Sequence, residues 1–158
     1  MPDNASANPR PEPVQRPLTL VMPVKPGEGE KLRQKIEEVA AAPGNPIETA
    51  LNTVGTVHFA RFVLLENDTR LAVITTYDND FDTYVNDFID VMHKVFNTLL
   101  QFVADVPESV ARDGVEAHRE EFVKYVHAHD VPYVGSFYSA YPELSVAQIV
   151  PPKAPVLT

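Results

Sequence analysis

The chain contains no cysteine. Disulfides, thiolate metal centres and cysteine nucleophiles are therefore excluded, and the fold must stand on packing alone. It also lacks any apolar run of the roughly 18–20 residues that a membrane-spanning helix needs. Basic charge is scarce: 13 Lys and Arg stand against 22 Asp and Glu, a formal net charge of −9. Nucleic acids and anionic membranes require a basic face, so neither is an expected partner, whereas a neutral or cationic ligand suits this balance. Residues 1–17 carry no apolar stretch of the secretory type, which makes the cytoplasm the expected compartment. There is no phosphate-binding glycine loop, no nucleophile elbow and no His-Glu-x-x-His.

What is present fits one globular domain: 158 residues, 44% of them hydrophobic, enough to bury a core. Eight of the 15 prolines fall in residues 1–17 and 151–158. Proline fixes φ and lacks an N–H, so both stretches read as flexible tails around a domain at 18–150.

Within that domain, residues 18–24 alternate as a first strand, and its prolines place it near an edge. Leu32, Ile36, Val39 and Ala40 recur at helical spacing over 28–42, stopped by Pro43-Gly44. A connector with a helical turn near 47–51 follows. Residues 57–65 and 70–77 read as two strands joined at Asn67-Asp68-Thr69. By simple alternation, Val57, Phe59, Arg61, Val63 and Leu65 share one face of the first, and His58, Ala60, Phe62 and Leu64 the other. Both faces are largely apolar, so both should be covered. Acidic residues at 78–82 open a long helix whose stripe runs from Phe81 through Tyr84, Val85, Phe88, Met92, Val95, Phe96 and Leu99 to Val103. A helix from Ser109 to His129, a last strand over 133–141 and a short element at 145–150 complete the order. The expected class is α+β: a ferredoxin-like split βαβ arrangement with an extra helix before the last strand.

His58 and Arg61 are the leading site candidates, since an ionisable group on an apolar strand must be satisfied or used. Either one contacts a ligand in a cleft between sheet and helices, or His58 is a hydrogen-bonded core histidine and Arg61 pairs with an acid. Three residues apart on a strand they point to opposite faces unless a bulge intervenes. His127 and His129 diverge on a helix and could converge on a metal only if the stretch is extended. His118 and His129 share a face with Phe122 and Tyr125, but about 16 Å apart, so each could serve singly. Asp78, Asp80 and Asp82 resemble a calcium loop that fails at Thr83 and Ile89, which leaves helix capping. Tyr133, Phe137, Tyr138 and Tyr141 suit either a planar-ligand pocket or edge packing.

Residues 18–24, the strand Gly55-Thr56-Val57-His58-Phe59-Ala60-Arg61-Phe62 and residues 137–142, in this order, resemble the dimeric α+β-barrel superfamily. Dye-decolourising peroxidases, chlorite dismutases and antibiotic-type monooxygenases belong to it. The resemblance covers roughly residues 18–150. It implies two ferredoxin-like sheets packed face to face in a homodimer, which would cover the second apolar face. Asp113-Gly114 echoes the peroxidase Gly-x-x-Asp-Gly motif, but Val110 stands where its first glycine belongs. The resemblance implies a small-molecule ligand, with haem as a possible cofactor. His58, Arg61, Tyr77, Phe88, Met92 and Tyr138 would line its pocket, with His118 or His129 as axial ligand and Arg61 on a propionate or bound peroxide. The alternative is a non-catalytic dimeric accessory module.

Overall fold

The computed structural model describes residues 13–150, and most of the two expected tails lies outside that range. The hairpin forms where the turn chemistry places it. Strands β2 (Val57–Leu65) and β3 (Arg70–Asp78) pair antiparallel around Glu66, Asn67 and Asp68, at φ of 51°, 54° and 62°. Asn and Asp tolerate this left-handed region better than most residues. Strand β1 (Gln15–Pro23) pairs antiparallel with the other side of β3, giving a three-stranded sheet of order β1-β3-β2. Pro17 and Pro23 are tolerated because β1 has a strand neighbour on one side only.

Six helices are described: α1 (Gly29–Ala41), α2 (Pro46–Val54), α3 (Phe81–Leu100), α4 (Glu108–Asp113), α5 (Arg119–His129) and α6 (Val146–Ile149), with a 3-10 turn at Val115–Ala117. None is long and apolar enough to cross a membrane. Asp80 caps α3 by accepting the Thr83 N–H at 3.0 Å, and that bond holds its carboxyl below the usual range. The expected stripe of α3 is buried at Tyr84, Val85, Phe88, Met92, Phe96 and Leu99, and Ile89 joins it at 0% exposure. Full burial of such an aliphatic side chain contributes about 1.5–3 kcal/mol. This stripe, with Phe122, Tyr125 and Val126 of α5, covers Leu18, Leu20, Leu71 and Val73 on one face of the sheet.

The other face has no helix over most of its length. Phe59 there is 77% exposed and Leu65 38%, beside partly buried Val21, Val63 and Ile74. The register departs from simple alternation at one place. Val57 faces Tyr77 and Phe59 faces Thr76, so His58 is an inserted residue in a β-bulge. Val57 therefore joins Ala60, Phe62 and Leu64 on the core side. His58 turns to the open face, where it meets Asp78.

Two further expectations are corrected. The helix expected over 109–129 is broken, because Gly114 takes φ 95° and the side chain of Asn97 accepts the Val115 N–H at 2.9 Å, ending α4. The strand expected over 133–141 does not form. After α5 the chain does reach the free edge of β1, where Leu20 bridges Asp130 and the Val131 N–H donates to the Thr19 carbonyl at 2.8 Å. The next ladder bond is intercepted: the Asp130 carboxylate accepts the Thr19 N–H at 3.1 Å. Pro132 then offers no donor, and Gly135 sits at φ 82°. Continued pairing would set Val14 against residue 136, but Val14 bonds Pro142, six positions on. The residues between bulge out as an irregular segment along the end of the sheet.

Candidate functional site

That segment and the bulge together build a cleft of about 420 Å³. Its floor is Gln15, His58, Phe59 and Thr76, at the end of the open sheet face; its wall is Phe137, Tyr138, Ser139, Ala140, Tyr141 and Ile149. The volume falls within the range of about 300–1,000 Å³ typical of small-molecule sites.

The wall is held by polar side chains reaching from the sheet. Gln15 Nε2 donates to the carbonyls of Tyr141 at 2.8 Å and Leu144 at 2.9 Å. Gln15 Oε1 accepts the Ser139 hydroxyl at 2.6 Å. Asp78 Oδ2 accepts the Val146 N–H at 2.8 Å, which ties α6 to the end of β3. Asp78 Oδ1 lies 2.6 Å from His58 Nε2, with side-chain exposures of 2% and 7%. A carboxylate oxygen accepts, so Nε2 carries the proton in this pair. Among the described residues Nδ1 of His58 has no hydrogen-bond partner, and the one buried side-chain polar atom without a partner is Thr56 Oγ1. Nδ1 is therefore not fully buried, on a residue that lines the cleft. Ser139 is bonded to Gln15, not to His58, so no nucleophilic triad is assembled.

The eight residues expected to form one pocket are split, with Arg61, Phe88 and Met92 together on one small void between sheet and helices. His58 and Tyr138 line this cleft. Arg61 shares the open face with His58 through the bulge, is exposed, and makes no ion pair among the described residues. Tyr77 is core, stacked on Tyr84 with ring centroids 3.9 Å apart. Phe88 and Met92 are buried at 5% and 2% exposure under the sheet. The space between sheet and helices is packed: its two voids measure about 20 and 50 Å³, too small for a planar macrocycle.

Haem finds no place at either expected histidine. His129 Nδ1 bonds the Tyr125 carbonyl at 2.8 Å and Nε2 bonds Asp105 at 2.5 Å. Asp105 also accepts the Tyr125 hydroxyl at 2.6 Å, and burial, then this bond, push that phenol up. His118 faces Asp113 at 2.7 Å and Glu121 at 3.7 Å. An axial ligand needs a free ring nitrogen and a porphyrin-sized space; His129 has both nitrogens bonded, and His118, whose Nδ1 is unbonded, lines none of the described clefts. Asp113 is engaged by Arg112 and His118, which bring its carboxyl down to about 2. No cluster of three metal-ligating side chains occurs among the described residues.

A wider groove of about 530 Å³ lies between α3 and α5, lined by Asp82, Asn86, Arg119, Glu120, Val123, Lys124 and His127. Its arginine is engaged by Asp90 at 2.5 Å and by the Asn86 carbonyl at 3.4 Å. Its charges are of both signs, so it selects no ligand class.

The sequence pointed to His58 but missed Asp78, whose acid reads as the start of the next helix. A readable signal was present: Asp78 ends the strand that the hairpin lays beside His58. No family model matches the chain, and no curated protein or solved structure matches it.

Proposed function

We propose that the protein binds a small, uncharged, largely apolar molecule in the cleft over His58 and Asp78, and that it works as a homodimer packed through the open sheet face. The observation that carries this reading is the cleft itself: an aromatic wall facing a buried imidazole with one nitrogen free. A ferredoxin-like assignment is supported by the antiparallel order β1-β3-β2, by helices after β1 and β3, and by the chain's return to the free edge of β1 where a fourth strand would lie. A second copy is favoured because exposed Phe59 and Leu65, with Val63 and Ile74, make this face largely apolar, interrupted by Arg61. Three strands spaced about 4.8 Å and nine residues long at about 3.3 Å each present a footprint of roughly 400 Å². A stable interface takes about 800 Å² per partner, so exposed Tyr138 and Ile149 at the cleft rim would belong to it as well. Any oxidoreductase activity of this chain would be haem-free, in the cytoplasm expected from the sequence.

Ligand-observed NMR with panels of uncharged aromatic, anionic and cationic small molecules tests the reading. Uncharged aromatics should bind, and Ala140→Trp, which fills the cleft, should abolish their binding. Binding of anions alone, or binding indifferent to Ala140→Trp, would refute it. The accessory-module reading is favoured by the same open face and gains weight if no small molecule binds.

A further inference from the structure

The geometry points to His58 as a proton acceptor for a hydroxyl-bearing aromatic ligand, with Asp78 as its positioning residue. This rests on the proposal that the cleft is a ligand site and adds a chemical role to it. Asp78 Oδ1 sits 2.6 Å from Nε2, which places a proton there and, in the neutral ring, leaves Nδ1 as a lone-pair acceptor. The His58 side chain is 7% exposed and lines the cleft, and its unpartnered Nδ1 is still accessible, which leaves it able to accept from an occupant. Asp78 is itself fixed from behind by the Val146 N–H at 2.8 Å.

The lining then selects the ligand. It contains no Lys, Arg, Asp or Glu, and its titratable side chains are His58, Tyr138 and Tyr141. Rings at Phe59, Phe137 and Tyr138 favour a flat apolar body. The acceptor at Nδ1 requires a donor on that body, and an aromatic hydroxyl is a neutral donor that a positioned histidine base can deprotonate. On transfer the ligand O–H bond breaks and the Nδ1–H bond forms. The electron pair stays on oxygen as a phenolate, and the new imidazolium lies between that anion and the Asp78 carboxylate. No further reactant is needed, and the product is an activated, electron-rich ring. The arrangement is that of an acid-oriented histidine base, in which the carboxylate selects the tautomer and stabilises the charged ring.

The test uses 4-nitrophenol, whose phenolate absorbs apart from the neutral form. An opposite charge beside a titrating group shifts its acidity by about one to three units, so the phenolate-to-phenol ratio of bound ligand should exceed that of free ligand about tenfold or more at the same pH. His58→Asn keeps a donor for Asp78 but takes no proton: binding should persist and the excess phenolate disappear. Asp78→Asn, offering a donor to Nε2, should flip the tautomer, turn Nδ1 into a donor and also remove the excess. Binding without excess phenolate, or an excess that survives His58→Asn, overturns the base assignment and leaves the cleft reading standing. No binding, or binding undiminished by Ala140→Trp, overturns both.

Discussion

Replacing Phe59 by alanine should dissociate the homodimer while leaving the protomer folded. Phe59 is 77% exposed in the single chain. Its ring therefore contributes little to the protomer and, exposed in the free chain, would bury most of its surface against a partner. Full burial of such a side chain is worth about 1.5–3 kcal/mol, so the exposed three-quarters represents about 1–2 kcal/mol per copy. A two-fold interface contains the residue twice, which brings the loss to about 2–4 kcal/mol. At about 1.4 kcal/mol per tenfold, the dimer Kd should rise roughly 30- to 1,000-fold. Sedimentation velocity across a dilution series reads this directly, and thermal unfolding of the dilute monomer reports whether the protomer is intact. A wild-type chain that stays at 17.5 kDa at the highest concentration would refute the face-to-face reasoning. So would a Phe59→Ala dimer of unchanged affinity.

Two predictions concern the protomer. Gly29→Ala would normally favour a helix by about 1 kcal/mol, but here the added Cβ would lie 2.3 Å from the Asp68 carbonyl oxygen and 2.6 Å from Asp68 Cβ. The chemical denaturation midpoint should therefore fall, with the hairpin turn displaced from α1 and the Arg33–Asp68 pair at 2.6 Å lost. Burial raises Tyr77 to about 12 and pushes Tyr84 up as well, from an ordinary value of 10. A raised folded value means that this stability is fully present below pH 10 and is lost as pH climbs through the folded values. Denaturant titrations above pH 10 should show a steep decline. Tyr84→Phe should make the decline shallower while costing about 1–3 kcal/mol at neutral pH, because Thr75 Oγ1 loses its 2.9 Å partner. An unchanged alkaline slope in that variant would contradict the assignment.

Local signals made much of this fold readable. The 66–68 turn needs residues that accept positive φ, and the chain supplies Asn67 and Asp68 there. Most of the apolar spacing of α3 is its buried stripe, with Phe81 and Val95 partly buried, Val103 beyond the helix end, and Ile89 and Leu100 widening it. The illegible parts depend on contacts between distant residues. The bulge at His58 moves Val57 into the core and His58 out of it, and nothing in strict alternation announces one inserted residue. Residues 133–141 have strand-like composition, but β-propensity expresses fit to a neighbour. Their neighbour, the edge of β1, gives its Thr19 N–H to the carboxylate of Asp130, 111 positions away. The same failed strand builds the cleft wall, which is why reading a fourth strand put the pocket between sheet and helices rather than at the sheet's end.

The most direct measurement is an amide NMR titration of the full chain with an uncharged hydroxylated aromatic. Saturable shifts should be concentrated at His58, Phe59, Thr76 and residues 137–141, with the α3–α5 groove at Asn86 and Lys124 unmoved. Shifts confined to that groove, or none at any concentration, would contradict the cleft reading.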